Sequence, residues 1–414
     1  MVRLLYNSAI HFLSALYRFA ALVHPKAKLF VQGRKNIISR LKAAIPEHAS
    51  SIVWIHCASL GEFEQGRPVI EAIRKHHPSH QILLTFFSPS GYEVQKNYPG
   101  VDYVFYLPLD TPYCTHRFVA VTRPVLAIFV KYEFWDNYTR ELQRNKIPMI
   151  SISAIFRDDQ VFFKPWGGFM RNVLARFNQF FVQNQESIAL LNSIGIRQAL
   201  IAGDTRFDRV YEITQRAEEI DVVRKFKNDE KVFVIGSCWP EDIDVLAPFI
   251  NEHRLKFIIA PHEIREDFLI TIERSVQGKV VRYSRIDAGN ISEAQVLLID
   301  NIGLLSRLYR YGEFAWIGGG FGKGLHNILE AACYGVPIFF GNRNYQKFKE
   351  ANDLILRGGA FEIGNFLDLK EAYEMLFSRP ENFLLACEVT RQYVKENLGA
   401  TDKIMAFCKP YLKK

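Results

Sequence analysis

The sequence has no CxxC pair, no cysteine–histidine spacing suited to zinc, no low-complexity tract and no internal repeat. Its six cysteines (Cys57, Cys114, Cys238, Cys333, Cys387, Cys408) are scattered, which argues against a disulfide framework and favours free thiols in a reducing compartment. It also lacks an arginine-and-aromatic strand motif and a recognition-helix signature, so nucleic acid is the weakest candidate partner. No small-residue cleavage site follows the apolar N-terminus, and a removable signal peptide is not expected. What remains is a chain of 414 residues, 49% hydrophobic and 23% charged. Those values describe a globular protein of two-domain size. The formal charge of +8 favours an acidic partner, either anionic lipid or a phosphorylated substrate.

The most informative stretch is 317–341, IGGGFGKGLHNILEAACYGVPIFFG. It reads as a buried strand, Phe314–Ile317, a glycine-dense loop, a helix opening near His326-Asn327, and a second strand over Val336–Phe340. Glycines at 318, 319, 320, 322 and 324 allow sharp turns and close backbone approach to a ligand. A helix start after such a loop offers unpaired N–H groups to a phosphate. Glu330, three residues past Asn327, falls in the same turn and suits sugar hydroxyls. Together these describe a nucleotide-sugar site. The alternative is a helix that packs behind a tight loop, with Glu330 solvated.

The apolar run Leu4–Val23 approaches bilayer-spanning length. Asn7, His11, Ser14 and Arg18 recur along it at helical spacing, so the expectation is a helix lying in the membrane interface rather than crossing it. Lys26, Lys28, Arg34, Lys35, Arg40 and Lys42 follow, and basic residues beside an apolar segment mark the cytoplasmic side and attract anionic lipid. A buried core helix with a basic surface loop is the alternative. From Ser51 onward short buried strands alternate with helices, which implies a parallel, doubly wound sheet with functional loops at strand C-termini. Glu62, Ser88, Lys131, Glu133 and Arg206 sit at or just past such ends. The charged helical passage 209–228 separates this half from a second α/β half beginning at Val232.

Glu62 is the candidate acid: at a helix start the dipole keeps its carboxylate ionised, and an ionised carboxylate can take a proton from an attacking hydroxyl. Capping is its alternative role. Arg206 stands where it can neutralise a departing phosphate, or simply pair with Asp204 or Asp208. Lys131 and Glu133, read as strand residues, would point the same way and form an ion pair. His262 lacks a second ligand at metal-binding spacing and reads as a hydrogen-bonded loop residue.

Taken together, HCASLGE (56–62), TFFSPSG (85–91), YLPLD (106–110), KYEFWDN (131–137), GDTRFD (203–208) and GGG…HNILEAACYGVP resemble the Kdo transferase family. These are inverting glycosyltransferases that move 3-deoxy-D-manno-octulosonic acid (Kdo) from its CMP donor to a lipid A precursor. The resemblance runs in order over nearly the whole chain. It implies an α/β GT-B fold, two Rossmann-like doubly wound domains facing across a cleft, plus an N-terminal membrane-associated helix. The implied division is 1–25 for that helix, 26–209 for the acceptor domain and 210–395 for the CMP-Kdo-binding domain, with the tail 396–414 a candidate to cross back.

The resemblance further implies a metal-independent reaction without cofactor, CMP-Kdo and an anionic lipid A precursor (lipid IVA) as partners, and the cytoplasmic side of the inner membrane as location. Glu62 falls on the family's proton acceptor, and Arg206 on a position, usually lysine, that stabilises the transition state. Lys131 stands where the family often has glutamate, its motif reading E-T-E-L-W. CMP-contacting positions carry over to Pro261, His262, Ile302, Gly303, Leu304, Asn327, Ile328, Leu329 and Glu330, with His262 in place of a common arginine and Leu304 of a common glutamate. The rival readings are another GT-B enzyme, a UDP-sugar transferase or epimerase, and a non-catalytic membrane-bound nucleotide-binding protein.

Overall fold

A computed structural model describes residues 2–47, 51–216, 218–286 and 291–413. The chain divides into two compact units, Met1–Asp208 with Leu398–Lys414, and Arg209–Asn397. Each is built on one seven-stranded parallel sheet.

In the first unit the strands are β1 (Ile52–Cys57), β2 (Gln81–Phe86), β3 (Tyr103–Tyr106), β4 (Leu126–Val130), β5 (Met149–Ala154), β6 (Gln179–Val182) and β7 (Ala199–Ile201), in the order β3-β2-β1-β4-β5-β6-β7. Every residue of β1, β4 and β5 is buried, as expected for parallel strands covered on both faces. Alternate side chains feed two cores: Trp54, Phe129 and Phe180 on one face, Val53, Ile55, Ile128 and Phe181 on the other. The second core is completed from the far end of the chain. Ala400, Ile404 and Cys408 of the helix Ala400–Cys408, with Leu412, pack among Val69, Ile70 and Ile73. Asp208 fixes that helix start by accepting from the N–H groups of Gly399 and Thr401, each at 2.6 Å.

The second unit repeats the plan with β8 (Val232–Cys238), β9 (Lys256–Pro261), β10 (Val280–Arg282), β11 (Val296–Leu298), β12 (Phe314–Ile317), β13 (Ile338–Gly341) and β14 (Ala360–Ile363), ordered β10-β11-β9-β8-β12-β13-β14. Phe233, Ile235, Phe257, Trp316 and Phe339 form its aromatic-rich core. β8 runs on through Gly236-Ser237-Cys238. The reason is continued pairing with β9, resumed at Cys238 after an irregularity.

The N-terminal helix, Val2–Ala20, lies against the first unit by its polar and aromatic face. Tyr6 Oη donates to Asp110 Oδ2 at 2.6 Å, Asn137 Nδ2 donates to Asn7 Oδ1 at 2.9 Å, and the Tyr17 ring stacks on Phe30 with centroids 4.0 Å apart. Asn7, expected on a free polar face, is thus spent on the protein. Val2, Leu5, Phe12, Leu16 and Phe19 recur at helical spacing on the opposite side and are exposed. Among the described residues no helix is long and apolar enough to cross a membrane.

Candidate functional site

In each sheet the strand order reverses at one point, between β1 and β4 in the first unit and between β8 and β12 in the second. Ligands of open parallel sheets bind outside the strand C-termini at such a switch point. Glu62 and Lys131 stand at the first of those points, and Asn327 and Glu330 follow β12 at the second. Arg206, by contrast, follows the edge strand β7, Pro261 and His262 lie at the end of β9, and Ile302, Gly303 and Leu304 follow β11.

In the first unit the helix Leu60–His76 follows β1 directly, with Ser59 at its N-cap and Glu62 in its first turn. The Ser59 hydroxyl donates to Glu62 Oε2, fixing the carboxylate where the helix dipole favours its charge. Glu62 is half-buried, so it is held yet reachable. A second carboxylate stands nearby on the loop after β4. Burial pushes the Cys57 thiol well up, and Glu62, Glu133 and Glu64 around it add to that rise.

Glu133 is locked by a buried chain of hydrogen bonds. Trp54 Nε1 donates to Thr85 Oγ1 at 2.8 Å, Thr85 Oγ1 lies 2.9 Å from His56 Nδ1, and His56 Nε2 lies 2.9 Å from Glu133 Oε2. Trp135 Nε1 donates to the same carboxylate oxygen at 2.8 Å. His56 Nδ1 lies 3.0 Å from the Thr85 carbonyl oxygen as well, so both ring nitrogens are engaged and the imidazole is fixed between Thr85 and Glu133.

Lys131 does not pair with Glu133 as a strand would have it. β4 ends at Val130, and Lys131 turns out of the sheet with φ at 60°, its N–H donating to the Ile152 carbonyl at 2.9 Å. That left-handed turn rotates the two side chains apart. Arg206, in the first turn of the helix Thr205–Arg216, is paired with Asp204. Its Nε lies 2.9 Å and Nη2 2.8 Å from Asp204 Oδ2, which also accepts from Gln65 Nε2 at 2.8 Å. Although burial opposes it, the Arg206 guanidinium and these donors hold the Asp204 carboxyl below its ordinary value. Gln65 stands one turn beyond Glu62 on the same helix, so one short segment anchors both the acid and the guanidinium.

In the second unit, β8 leads into Trp239-Pro240 and the helix Pro240–Glu252. Asp242 Oδ2 accepts from Trp239 N at 2.8 Å and from Gly319 N at 3.2 Å, tying the loops after β8 and β12 together. Burial, partly offset by those bonds, pushes its carboxyl up to about 7. Above it lies a group of rings. His262, just past β9, stacks on Trp239 and on His326 with centroids 4.6 and 4.1 Å apart. Trp239 Nε1 donates to His326 Nε2 at 2.8 Å. Burial, helped by His262, lowers the His326 imidazole to about 4, and burial also lowers His262. A neutral His326 that accepts at Nε2 carries its hydrogen on Nδ1. Lys323 Nζ sits 4.1 Å from the Trp239 ring centroid.

The glycine loop differs from its sequence reading. A Cβ at Gly318 would meet the Ser237 carbonyl oxygen at 2.0 Å and one at Gly320 the Gly341 carbonyl oxygen at 2.3 Å, while Gly319 and Gly324 hold φ at 90° and 115°. Four of the five glycines are therefore required by packing and turning within the fold. The helix starts at Leu329, not near His326, and is a single turn ending at Ala332. Asn327 makes an Asx turn just before it: its Oδ1 accepts from Leu329 N at 3.3 Å and its Nδ2 donates to Glu330 Oε1 at 3.1 Å. One turn has little dipole to offer a phosphate.

Among the nucleotide-contact positions, Asn327 is exposed and Glu330 half-buried, whereas Ile328 and Leu329 are buried side chains that reach a ligand only through their main chain. Pro261 closes β9 and is buried. Ile302 and Gly303 are exposed on the loop after β11, and half-buried Leu304 precedes the helix Leu305–Leu308. Among the described residues no cluster of three His, Cys, Asp or Glu side chains is placed to hold a metal ion.

Sequence reasoning gave no role to His56 and Gln65 in the first unit or to Trp239 and Asp242 in the second; it named Asp204 only as a partner for Arg206, a pairing the structure has, and His326 only as a helix start. One signal was available: proline at the first helical position, with an acid three residues past Trp239, is a helix-capping signature. The fully buried β1 gives no periodicity that would have singled out His56.

The profile of the 3-deoxy-D-manno-octulosonic-acid transferase (kdotransferase) family matches residues 33–209. The chain is 27% identical to the 3-deoxy-D-manno-octulosonic acid transferase of Aquifex aeolicus, over 78% of this chain and 85% of that one. It is 25% identical to the Rickettsia typhi transferase of the same name, over 94% and 86%. These likenesses support the Kdo transferase family. The protein is a glycosyltransferase of lipopolysaccharide biosynthesis. The fold is also that of a UDP-GlcNAc 2-epimerase from Neisseria meningitidis, with a TM-score of 0.60 at 14% identity, covering 86% of this chain and 98% of that one. This likeness concerns the two-domain GT-B architecture alone. A Kdo transferase therefore shares its scaffold with enzymes of other chemistry, and its own must come from the side chains at the switch points.

Proposed function

We propose that this Kdo transferase moves Kdo from CMP-Kdo to a lipid A precursor such as lipid IVA, at the cytoplasmic face of the inner membrane. The observation that carries the reading is Glu62, fixed by Ser59 on the first turn after β1 and half-buried at the switch point. A carboxylate so held accepts the proton of the sugar hydroxyl as that oxygen attacks the anomeric carbon of Kdo. The C–O bond to the cytidylate phosphate breaks on the opposite face, through an oxocarbenium-like transition state that inverts configuration. Charge developing on the departing CMP is met by Arg206, Lys131, Lys323 and the loop N–H groups rather than by a metal. Arg206 enters this step already oriented by Asp204, which lowers the cost of positioning it.

The second unit holds the nucleotide. His262, Gly303 and Asn327 line its strand-end loops, Glu330 is suited to ribose hydroxyls, and Pro261, Ile302, Leu304, Ile328 and Leu329 shape the pocket, the buried ones through their main chain. The exposed apolar stripe of the helix Val2–Ala20 supports an interfacial helix that brings the first unit to its lipid acceptor. Transfer of radiolabel from CMP-Kdo to the tetraacyl disaccharide lipid tests the whole reading. Glu62→Ala is expected to keep its thermal unfolding temperature and to lose transfer by about 100-fold or more. Near-normal turnover in that variant removes Glu62 from the role. Stabilisation by UDP but not by CMP would instead favour a UDP-sugar enzyme.

A further inference from the structure

A second concave site lies in the first unit, away from the sheet edge. Its volume is about 580 Å3 and its lining includes Arg3, Tyr113, His116, Arg140, Glu141 and Arg144. Three helices meet there. Arg3 comes from the first turn of the N-terminal helix, Tyr113 and His116 from the start of the helix Pro112–Thr122, and Arg140, Glu141 and Arg144 from one face of the helix Asp136–Arg144.

Its charge is unbalanced. Three guanidinium groups face one lining carboxylate, and that carboxylate is occupied: Glu141 Oε1 lies 3.0 Å from His116 Nδ1 and accepts from Asn145 Nδ2 at 3.1 Å. Buried Asp136 compensates only in part: Arg3 Nε and Arg140 Nη2 each form an ion pair with it at 3.6 Å, and Arg176 bonds its Oδ1 at 2.8 Å, so three guanidinium groups share one carboxylate. Arg144 makes no hydrogen bond or ion pair among the described residues. Guanidinium groups that outnumber the carboxylates beside them match the oxygen geometry of a phosphate, and a cavity of this size admits a phosphorylated headgroup rather than a bare ion. Its position names the source. Arg3 sits at one end of the helix whose exposed side carries Leu5, Phe12, Leu16 and Phe19, and Tyr113, an aromatic of the kind found at membrane interfaces, stands 68% exposed on the rim.

We propose that this cavity binds the phosphate-bearing headgroup of a bilayer lipid, with Arg3, Arg140 and Arg144 on the phosphate. This rests on the interfacial role of the N-terminal helix given above and adds a headgroup preference to it. The test is flotation of the full chain with phosphatidylcholine vesicles containing either phosphatidic acid or phosphatidylserine, at one ionic strength. Wild-type protein is expected to prefer phosphatidic acid several-fold. Arg140→Gln/Arg144→Gln, both exposed and leaving Asp136 paired with Arg176 and Arg3, should bring that ratio close to one. Lys26→Gln/Lys28→Gln removes the same charge from the neighbouring basic stretch and should weaken both vesicle types together, leaving the ratio unchanged. An unchanged ratio in the arginine variant, or equal loss in both variants, overturns the proposal in favour of diffuse attraction. If inorganic phosphate alone abolishes the preference and binds lipid-free protein through the same two arginines, the occupant is free phosphate and the lipid assignment falls. Wild-type protein held by no vesicle overturns the membrane reading itself, whereas holding without headgroup preference overturns only the cavity.

Discussion

The loop after β1 and the loop after β8 occupy equivalent places in two sheets of the same plan, yet they carry opposite kinds of chemistry. The first delivers Glu62 into a set of hydrogen-bonded polar groups: Glu133 on His56 and Trp135, Arg206 on Asp204, Asp204 on Gln65. The second delivers Trp239 into stacked rings whose imidazoles burial keeps from protonating. A parallel sheet supplies only a place, and the loop side chains decide whether that place moves protons or holds a flat ligand. On the proposed reading the first unit is where the rate is set and the second is where the donor is held.

Substitutions can break that division. The largest effect on folding should come from Gly318→Ala, because a Cβ there meets a carbonyl oxygen at 2.0 Å. Overpacking against main chain costs about 1–3 kcal/mol or more, and chemical denaturation should show the loss in the second unit. Glu133→Ala leaves His56 Nε2 and the indole N–H of Trp135 unpaired, at about 1–3 kcal/mol. It should also lower kcat by about 10-fold or more through misplaced groups, with the KM for CMP-Kdo unchanged; a change confined to that KM would erase the contrast between the units. Trp239→Phe keeps the stacked ring but drops the hydrogen bond to His326. Its expected cost of about 1 kcal/mol should appear as a several-fold higher donor KM at unaltered kcat.

Asp242 gives the smallest and most diagnostic effect. Its folded-state carboxyl is raised from 3.8 to about 7, so the folded protein keeps a proton that the unfolded chain releases. The stability this provides is complete below about pH 4 and is lost as pH rises through 7. Asp242→Asn should flatten that part of the curve of urea midpoint against pH, while the first unit's midpoint stays as in wild type.

The alternation of short buried strands with helices made both sheets legible from sequence, because parallel strands covered on two faces are continuous apolar runs. The positions of Glu62, Arg206 and the glycine loop just past strand C-termini were legible as well, since this architecture places loops there. Long-range side-chain geometry was not. Nothing local shows that Lys131 adopts a left-handed turn and parts from Glu133, or that His56 meets Glu133 77 positions away. The five glycines looked like a ligand cradle because sequence does not reveal that Ser237 and Gly341 press on two of them. Ile328 and Leu329 share a motif with exposed Asn327, but the one-turn helix rotates them inward.

The return of Ala400–Cys408 to the first unit has a consequence for biogenesis. The first unit cannot close its apolar surface until residues 400–412 have been synthesised. Throughout translation of the second half, the surface of Val69, Ile70 and Ile73 that Ile404 and Cys408 will cover stays open to solvent, chaperones and other nascent chains. A product released early, at residue 397, would retain every strand of both sheets and still be a substrate for quality control.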